Sequence, residues 1–335
     1  MNELTVIIPI RAIGNRDISE RLTYGISDYL LNRNKIDFIV VDDGSAARQK
    51  EKHKEICERL GIQYHYLDTE NKSVNMARAR NVGVSLAKTK YIMFMDVDLY
   101  PYPGFYNDIL DEIDIQKLAH NQNDLIMVSV IYLTEKEGNS LFFNTDENKR
   151  KTLFLQKLSE NDKSVIEKFS TGTSVALYHR SRYLEIGGYD EEFCEWGYED
   201  LEFNLRMMCS SDKFPVPDDF HLDYKTFQTI DEYRGWKSLY KKYGEITMQR
   251  DIVLFHIWHE VDKNSKYVQG YEKNRQLFVK KISKLCLESK KTGTKDSFYV
   301  RYKNSSFIVL MQHLKKVPFA GKLLLYIKQK ILQWK

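Results

Sequence analysis

Tyr91-Ile92-Met93-Phe94-Met95-Asp96-Val97-Asp98 is an apolar run that stops on two carboxylates one residue apart. The run from Tyr91 to Met95 reads as a buried strand, which puts the carboxylates at its carboxyl end. Two carboxylates desolvated at a strand tip repel each other unless a cation stands between them. Hard divalent ions with oxygen ligands suit that position and still accept substrate phosphates. The alternative is that the acids only open a turn ahead of Pro101 and Pro103.

The chain before this stretch alternates between two periods. Leu4 to Ile10, Ile36 to Val41 and Ile62 to Leu67 read as strands, and Ser19 to Leu31, Ala46 to Leu60 and Val74 to Ala87 as helices. Such alternation predicts a mostly parallel sheet covered by helices. Ligands of open sheets of this kind gather outside the carboxyl ends of the strands. Here those ends read Pro9-Ile10-Arg11, Asp42-Asp43-Gly44-Ser45 and Asp96-Val97-Asp98. The third helix places Ala79, Val82, Gly83 and Leu86 on one face, and its small residues allow close approach to the sheet. Arg78 and Arg80 lie off that face, either solvated or in reach of a phosphate.

After the aspartates we expect a helix to about Leu118 and a strand from Asp124 to Leu133. A polar stretch, Thr134 to Lys151, reads as a loop that could order over a substrate. Thr171-Gly172-Thr173-Ser174 opens a strand to Tyr178, and Gly187-Gly188-Tyr189-Asp190 follows. In Glu195-Trp196-Gly197-Tyr198-Glu199-Asp200-Leu201-Glu202 an aromatic and a glycine precede three acids that begin a helix. Acids in a first turn can serve the helix dipole alone. Alternatively, Trp196 forms a flat apolar wall, Gly197 admits a ligand to the backbone, and one carboxylate takes a proton from a sugar hydroxyl. His256 and His259, three apart at the end of the apolar strand Ile252 to Phe255, are either ordinary strand-end groups or nitrogen ligands for a Mn-like metal.

With 335 residues, 42% hydrophobic and 13% aromatic, the chain can build a sizeable core. Its net charge of +4 hides an asymmetry: residues 271–335 carry 16 Lys/Arg against 3 Asp/Glu, leaving 35 against 44 before them. Cys57, Cys194, Cys209 and Cys286 are scattered, and no charged, apolar leader precedes Leu4, so a reducing cytoplasm is expected. No apolar run approaches the ~20 residues that span a bilayer.

The ordered set of Pro9-Ile10-Arg11, Val41-Asp42-Asp43-Gly44-Ser45, Ala79-Arg80-Asn81 with Gly83, Asp96-Val97-Asp98, Thr171 to Ser174, Gly187 to Asp190, Trp196 to Asp200 and the histidine pair resembles the GT-A fold glycosyltransferases of family 2. It is similar in particular to bacterial chondroitin-polymerase-type modules and the β-1,4-galactosyltransferase group. The resemblance covers roughly residues 3–265. It implies a Rossmann-like α/β three-layer sandwich, the nucleotide-diphospho-sugar transferase fold, over residues 1–268, with a helical basic extension over 269–335. It also implies an inverting transfer of a hexose or N-acetylhexosamine from a UDP-sugar, UDP-Gal or UDP-GalNAc favoured, to a glycan hydroxyl. The acceptor expected is a bacterial surface glycan such as capsule, lipooligosaccharide or O-antigen, in some cases lipid-linked. By the same resemblance Pro9, Ile10, Arg11, Asp42 and Asp43 hold the nucleotide, and Arg80 and Asn81 lie near the ribose and diphosphate. Asp96 bonds ribose or donor sugar. Asp98 and His259, joined by His256, bind Mn2+ or Mg2+. Asp200 is the base, Glu199 orients hydroxyls, and Trp196 and Gly197 border the sugars. Tyr198 stands where the galactosyltransferases commonly carry a glycine, so acceptor geometry is not carried across.

Two other classes compete. A sugar nucleotidyltransferase would need a basic glycine-rich loop near the first strand, where only Ile13-Gly14-Asn15-Arg16 stands. A non-catalytic carbohydrate-binding protein would have no need of the acids. The last stretch, Phe307 to Trp334, alternates Leu, Ile, Phe and Trp with lysines, which suits the anionic inner face of a membrane. Nucleic acid is not expected, because no recognition motif accompanies the charge.

Overall fold

The computed structural model describes residues 2–12, 17–26, 35–171, 174–224 and 232–292. Its first half follows the alternation: β1 (Leu4–Ile10), α1 (Ser19–Gly25), β2 (Ile36–Asp42), α2 (Ala47–Leu60), β3 (Gln63–Tyr66), α3 (Met76–Leu86) and β4 (Tyr91–Phe94). Then come β5 (Leu99–Tyr100), α4 (Phe105–Ile115), β6 (Leu125–Met127) and β7 (Ser129–Leu133). The polar segment expected to be a loop is instead two helices, α5 (Glu137–Asn144) and α6 (Glu147–Ser159). Phe142 and Phe154 are the reason, since each buries its ring in the core and gives its helix an inner face. The chain continues through β8 (Ile166–Ser170), β9 (Ala176–His179), α7 (Arg180–Glu185), α8 (Glu199–Ser210), α9 (Trp236–Met248), β10 (Val253–His256) and α10 (Lys266–Thr292).

The main sheet runs β3-β2-β1-β4-β9-β6, with β1 to β4 parallel and β9 antiparallel to both its neighbours. The residues of β1 are all buried, as expected of a strand covered on both faces. Val6 and Ile8 enter one core layer with α1, α2 and α4, while Ile7 enters the other with α3, α8 and α9. Gly83 lets α3 lie on the sheet, because a Cβ there would come within 2.3 Å of the Ile7 side chain. Pro9 is tolerated in this central strand because the β1–β4 pairing ends at Ile7↔Phe94. Its missing N–H therefore falls where β4 has already left.

The expected strand Asp124 to Leu133 is split at Val128. β6 closes the main sheet, and β7 joins a second, smaller one ordered β5-β10-β7-β8. α10 crosses the 268/269 division, and its Phe278, Ile282 and Cys286 belong to the core layer that holds α8. Among the described residues no helix is long and apolar enough to cross a membrane. Gly172 and Thr173, the Ile13 to Arg16 segment and the stretch from Phe307 to Trp334 lie outside the described residues.

Candidate active site

The small sheet assembles the first part of the site by register. β5 pairs antiparallel with β10, setting Leu99 opposite His256, so Asp98 arrives beside that histidine. β10 pairs parallel with β7, setting His256 opposite Tyr132, and the two rings stack at 4.7 Å. His259 returns to the same place after a turn whose centre, Trp258, is held by both amide atoms of Asn139 on α5, each at 3.0 Å. Both imidazole Nε2 atoms then face one Asp98 oxygen, His259 at 3.1 Å and His256 at 3.4 Å. Burial alone would push the Asp98 carboxyl up, but hydrogen bonds from His256 and His259 outweigh it and hold the group well below the usual range.

Three potential ligand atoms lie within 4.8 Å of one another here, the one such group among the described residues. Two imidazole nitrogens and a carboxylate fit a Mn2+-class ion better than Ca2+, and Mg2+ is the harder alternative. The partial exposure of the Asp98 side chain, 23%, leaves an approach from solvent.

The second part is carried by α3 and α8. Arg80, buried, reaches Asp96 Oδ1 at 2.9 Å with one nitrogen and Glu199 Oε1 at 2.8 Å with the other. Its guanidinium lies near the rings of Phe94 and Tyr189, 5.8 and 5.3 Å from their centres. One arginine thus ties the tip of β4 to the first turn of α8. The second oxygen of Glu199 is buried without a hydrogen-bond partner among the described residues. Asp200, next to it, is also buried. Burial, and after it the negative charge of Glu199, push its carboxyl up to about 7, with Arg80 opposing. A carboxyl poised there is suited to proton abstraction at neutral pH. Glu202, by contrast, is architectural: it pairs with Arg206 at 2.7 Å, and Arg206 also donates to the carbonyls of Ile186 and Gly188.

Several residues expected on the nucleotide are engaged internally. Asp42 is fully buried and accepts from Ser45 N at 2.8 Å, Tyr64 Oη at 2.9 Å and His53 Nδ1 at 3.0 Å, so it is not open to a base or ribose. Asp43, equally buried, faces Arg78, Arg11 and the Asn75 amide. Arg11 further donates to the carbonyls of Asp43, Glu70 and Lys72, stapling one loop to another. Asn81 receives Tyr183 Oη and Tyr189 N and donates to Tyr189 O and Glu191. It therefore fixes the Gly187 to Asp190 turn. Pro9 and Ile10 are buried in β1, and the Ile10 carbonyl accepts from Asp43 N. Arg78, partly buried, is paired with Asp43 and donates to the Ser73 carbonyl.

Trp196 is 44% exposed and stacks on Tyr271 of α10 at 4.9 Å, and Gly197 has φ +91°. Four residues at the site escaped sequence reasoning: Tyr132, Asn139, Tyr267 and Tyr271. Burial, and then the charges of Asp98, Asp96 and Asp200, raise the Tyr132 hydroxyl; burial, Glu199 and Asp96 raise that of Tyr267. Both phenols thus stay protonated beside the acidic groups. The one sequence signal for the α10 tyrosines was helical spacing, Tyr267 and Tyr271 being four apart.

A mostly parallel sheet with acids gathered at its carboxyl edge, joined by a second sheet whose β10 ends on His256, is an α/β arrangement of the GT-A type. The profile of the glycosyltransferase-like family 2 matches residues 5–284, and the chain belongs to that family. It is 25% identical over 189 residues to a chondroitin synthase of Escherichia coli, covering 50% of this chain and 27% of that protein. It is 28% identical over 152 residues to the glycosyltransferase GlyG of Streptococcus pneumoniae serotype 4, covering 44% and 46%. The chain thus spans less than half the length of these relatives. Among solved structures it resembles S. aureus TarS 1–349 in complex with UDP-GlcNAc, at a TM-score of 0.48 and 14% identity, covering 94% of this chain and 82% of that one.

Proposed function

We propose that this chain is an inverting, metal-dependent glycosyltransferase that moves a hexose or N-acetylhexosamine, from UDP-Gal or UDP-GalNAc by preference, to a hydroxyl of a bacterial surface glycan. The observation that carries the reading is Arg80, which joins the β4 tip, two residues from Asp98, to the turn that holds Asp200. Cation ligands and a carboxyl suited to act as base are thereby tied into one site. Likeness to a chondroitin synthase supports a glycan acceptor.

Asp98, His256 and His259 would hold Mn2+ or Mg2+, and such an ion supplies charge neutralisation for a departing diphosphate. Asp200 takes the proton of the acceptor hydroxyl as its oxygen attacks the anomeric carbon from the face opposite UDP, giving a β-linkage from an α-linked donor. Glu199, held by Arg80, keeps its buried second oxygen available to a sugar hydroxyl. Arg80 remains protonated between its two acids and steadies the negative charge of the pocket. Trp196, half exposed and backed by Tyr271, offers an apolar ring on which an acceptor sugar stacks. The lysine-bearing stretch from Phe307 to Trp334 would attach the chain to the inner face of the cytoplasmic membrane, a reading supported by its charge.

A thermal-shift panel of UDP-sugars with and without Mn2+, followed by transfer assays, tests the reading. The expected result is a rise in melting temperature with donor only when Mn2+ is present. Equal stabilisation without metal would overturn the ligand set, and release of pyrophosphate in place of UDP would favour a nucleotidyltransferase.

A further inference from the structure

The loop that delivers Glu199 and Asp200 is strained. Glu195, Gly197 and Tyr198 all have positive φ, at 66°, 91° and 74°. The left-handed region is unfavourable for the two non-glycine residues, and α8 begins on Tyr198 with no side-chain cap. Such a conformation persists only where its surroundings over-determine it. They do so from two sides: Glu195 N donates to the Val74 carbonyl at 2.8 Å, and α10 supplies contacts to the rest of the loop.

Asn274 is the centre of them. It is 1% exposed, and its amide nitrogen lies 2.9 Å from the Cys194 carbonyl, 3.1 Å from that of Trp196 and 3.0 Å from that of Gly197. The carbonyls at these three positions converge on a single donor group. Without it they would repel one another in a buried space where water cannot replace the donor. One turn earlier, Gly270 lets the helix touch the loop, because a Cβ there would come within 2.4 Å of the Glu195 Cβ. Tyr267 accepts from Trp196 N at 3.1 Å. One turn later, Phe278 packs on Tyr198 at 5.2 Å, and Lys281 pairs with Asp190 and Glu192 on the preceding segment. Positions 267, 270, 274, 278 and 281 form one helix face, with the buried amide of Asn274 at its middle.

We propose that Asn274 is a positioning residue for the transfer reaction. It holds the loop from Cys194 to Tyr198 in the strained form that sets Asp200 and Glu199 against the substrates, without touching substrate itself. This rests on the assignment of Asp200 as base made above. Nothing in the contacts of Asn274 involves the Asp98, His256 and His259 group, so donor binding and transfer separate on its removal.

The test uses the full chain carrying Asn274→Asp, which is isosteric but turns an acceptor toward the three carbonyls, together with Asn274→Ala. The expected outcome is a fall in kcat of about 10–100-fold, the scale of a small misplacement of reacting groups. The Kd for UDP with Mn2+ should stay within about twofold. Hydrogen exchange should accelerate at the amides of residues 194–201 and not across the sheet. Wild-type kcat and exchange in both variants would overturn the proposal. So would exchange that accelerates everywhere in both, or failure of both to fold, since either makes Asn274 only a part of the core. Should the unmodified chain transfer no sugar from any donor, the function fails, and the exchange measurement still decides what Asn274 holds.

Discussion

Two aspartate pairs stand at the carboxyl ends of strands that flank β1, and the fold treats them in opposite ways. Asp42, which closes β2, and Asp43, which follows it, are fully buried and saturated by Ser45, His53, Tyr64, Arg78 and Asn75. Asp96 and Asp98, after β4, keep 34% and 23% of their side chains exposed and face groups from other elements. The difference comes from the chain that follows. After β2 the backbone turns at once into α2, which swings His53 over Asp42. After β4 it crosses to a second sheet whose edge leaves an open seam. Carboxylates of like position thus become a buried structural node in one case and a partly exposed candidate ligand site in the other, decided by what packs over them.

The comparison breaks first at Asp98. Asp98→Ala should abolish both the Mn2+-dependent rise in melting temperature and transfer above background, because it removes the one carboxylate among the three candidate ligands. Retained metal response in that variant would mean that the open pair is no more a ligand site than the closed one. The next largest effect is expected at Asp200. Asp200→Asn should lower kcat by ~10²–10⁴-fold, as general-base loss does, while UDP binding survives. In the parent enzyme activity should rise with pH through about 7, where Asp200 loses its proton. The sign for stability is the reverse. A carboxyl raised in the folded state favours folding at low pH, and that contribution is lost as pH climbs through the folded value. The Asn variant should therefore gain melting temperature over the parent at pH 8 and not at pH 4. An equal offset at both pH values would show that the carboxyl is not raised by burial.

How far the sequence reaches follows from the same contrast. The β4 tip was legible because five apolar residues end on Asp96, and the parallel core was legible from the alternation before it. The histidine pair was legible as a pattern, and its meeting with Asp98 was expected only from the family resemblance, not from any periodicity. That meeting depends on β5, a strand of only two residues whose register against β10 no periodicity announces. The closure of Asp42 was hidden for a related reason: its partners His53 and Tyr64 lie 11 and 22 residues away, on a helix and a strand. The segment from Thr134 to Lys151 was misread because its charges are solvated while two phenylalanines on and just beyond it, Phe142 and Phe154, do the packing. α10 was set apart by its net charge, although its inner face carries contacts that hold the loop from Cys194 to Tyr198.

The smallest expected effect on turnover is the one that sharpens the comparison most. Asp42→Ala leaves the Ser45 amide, the Tyr64 hydroxyl and His53 without their acceptor in a space closed to water. Loss of one member of such a buried polar group costs roughly 3–5 kcal/mol. Urea unfolding should therefore show a large drop in midpoint, while kcat and the affinity for UDP, measured well below the transition, stay within a few-fold of the parent. Burial alone would raise the Asp42 carboxyl, but His53 and Ser45 outweigh it and hold it low. Its contribution is thus present at neutral pH and lost as pH falls through the folded value, so the gap between variant and parent should narrow in acid. A variant with parental stability and a lost affinity for UDP would reverse the assignment, making the β2 pair the nucleotide contact and its internal partners incidental.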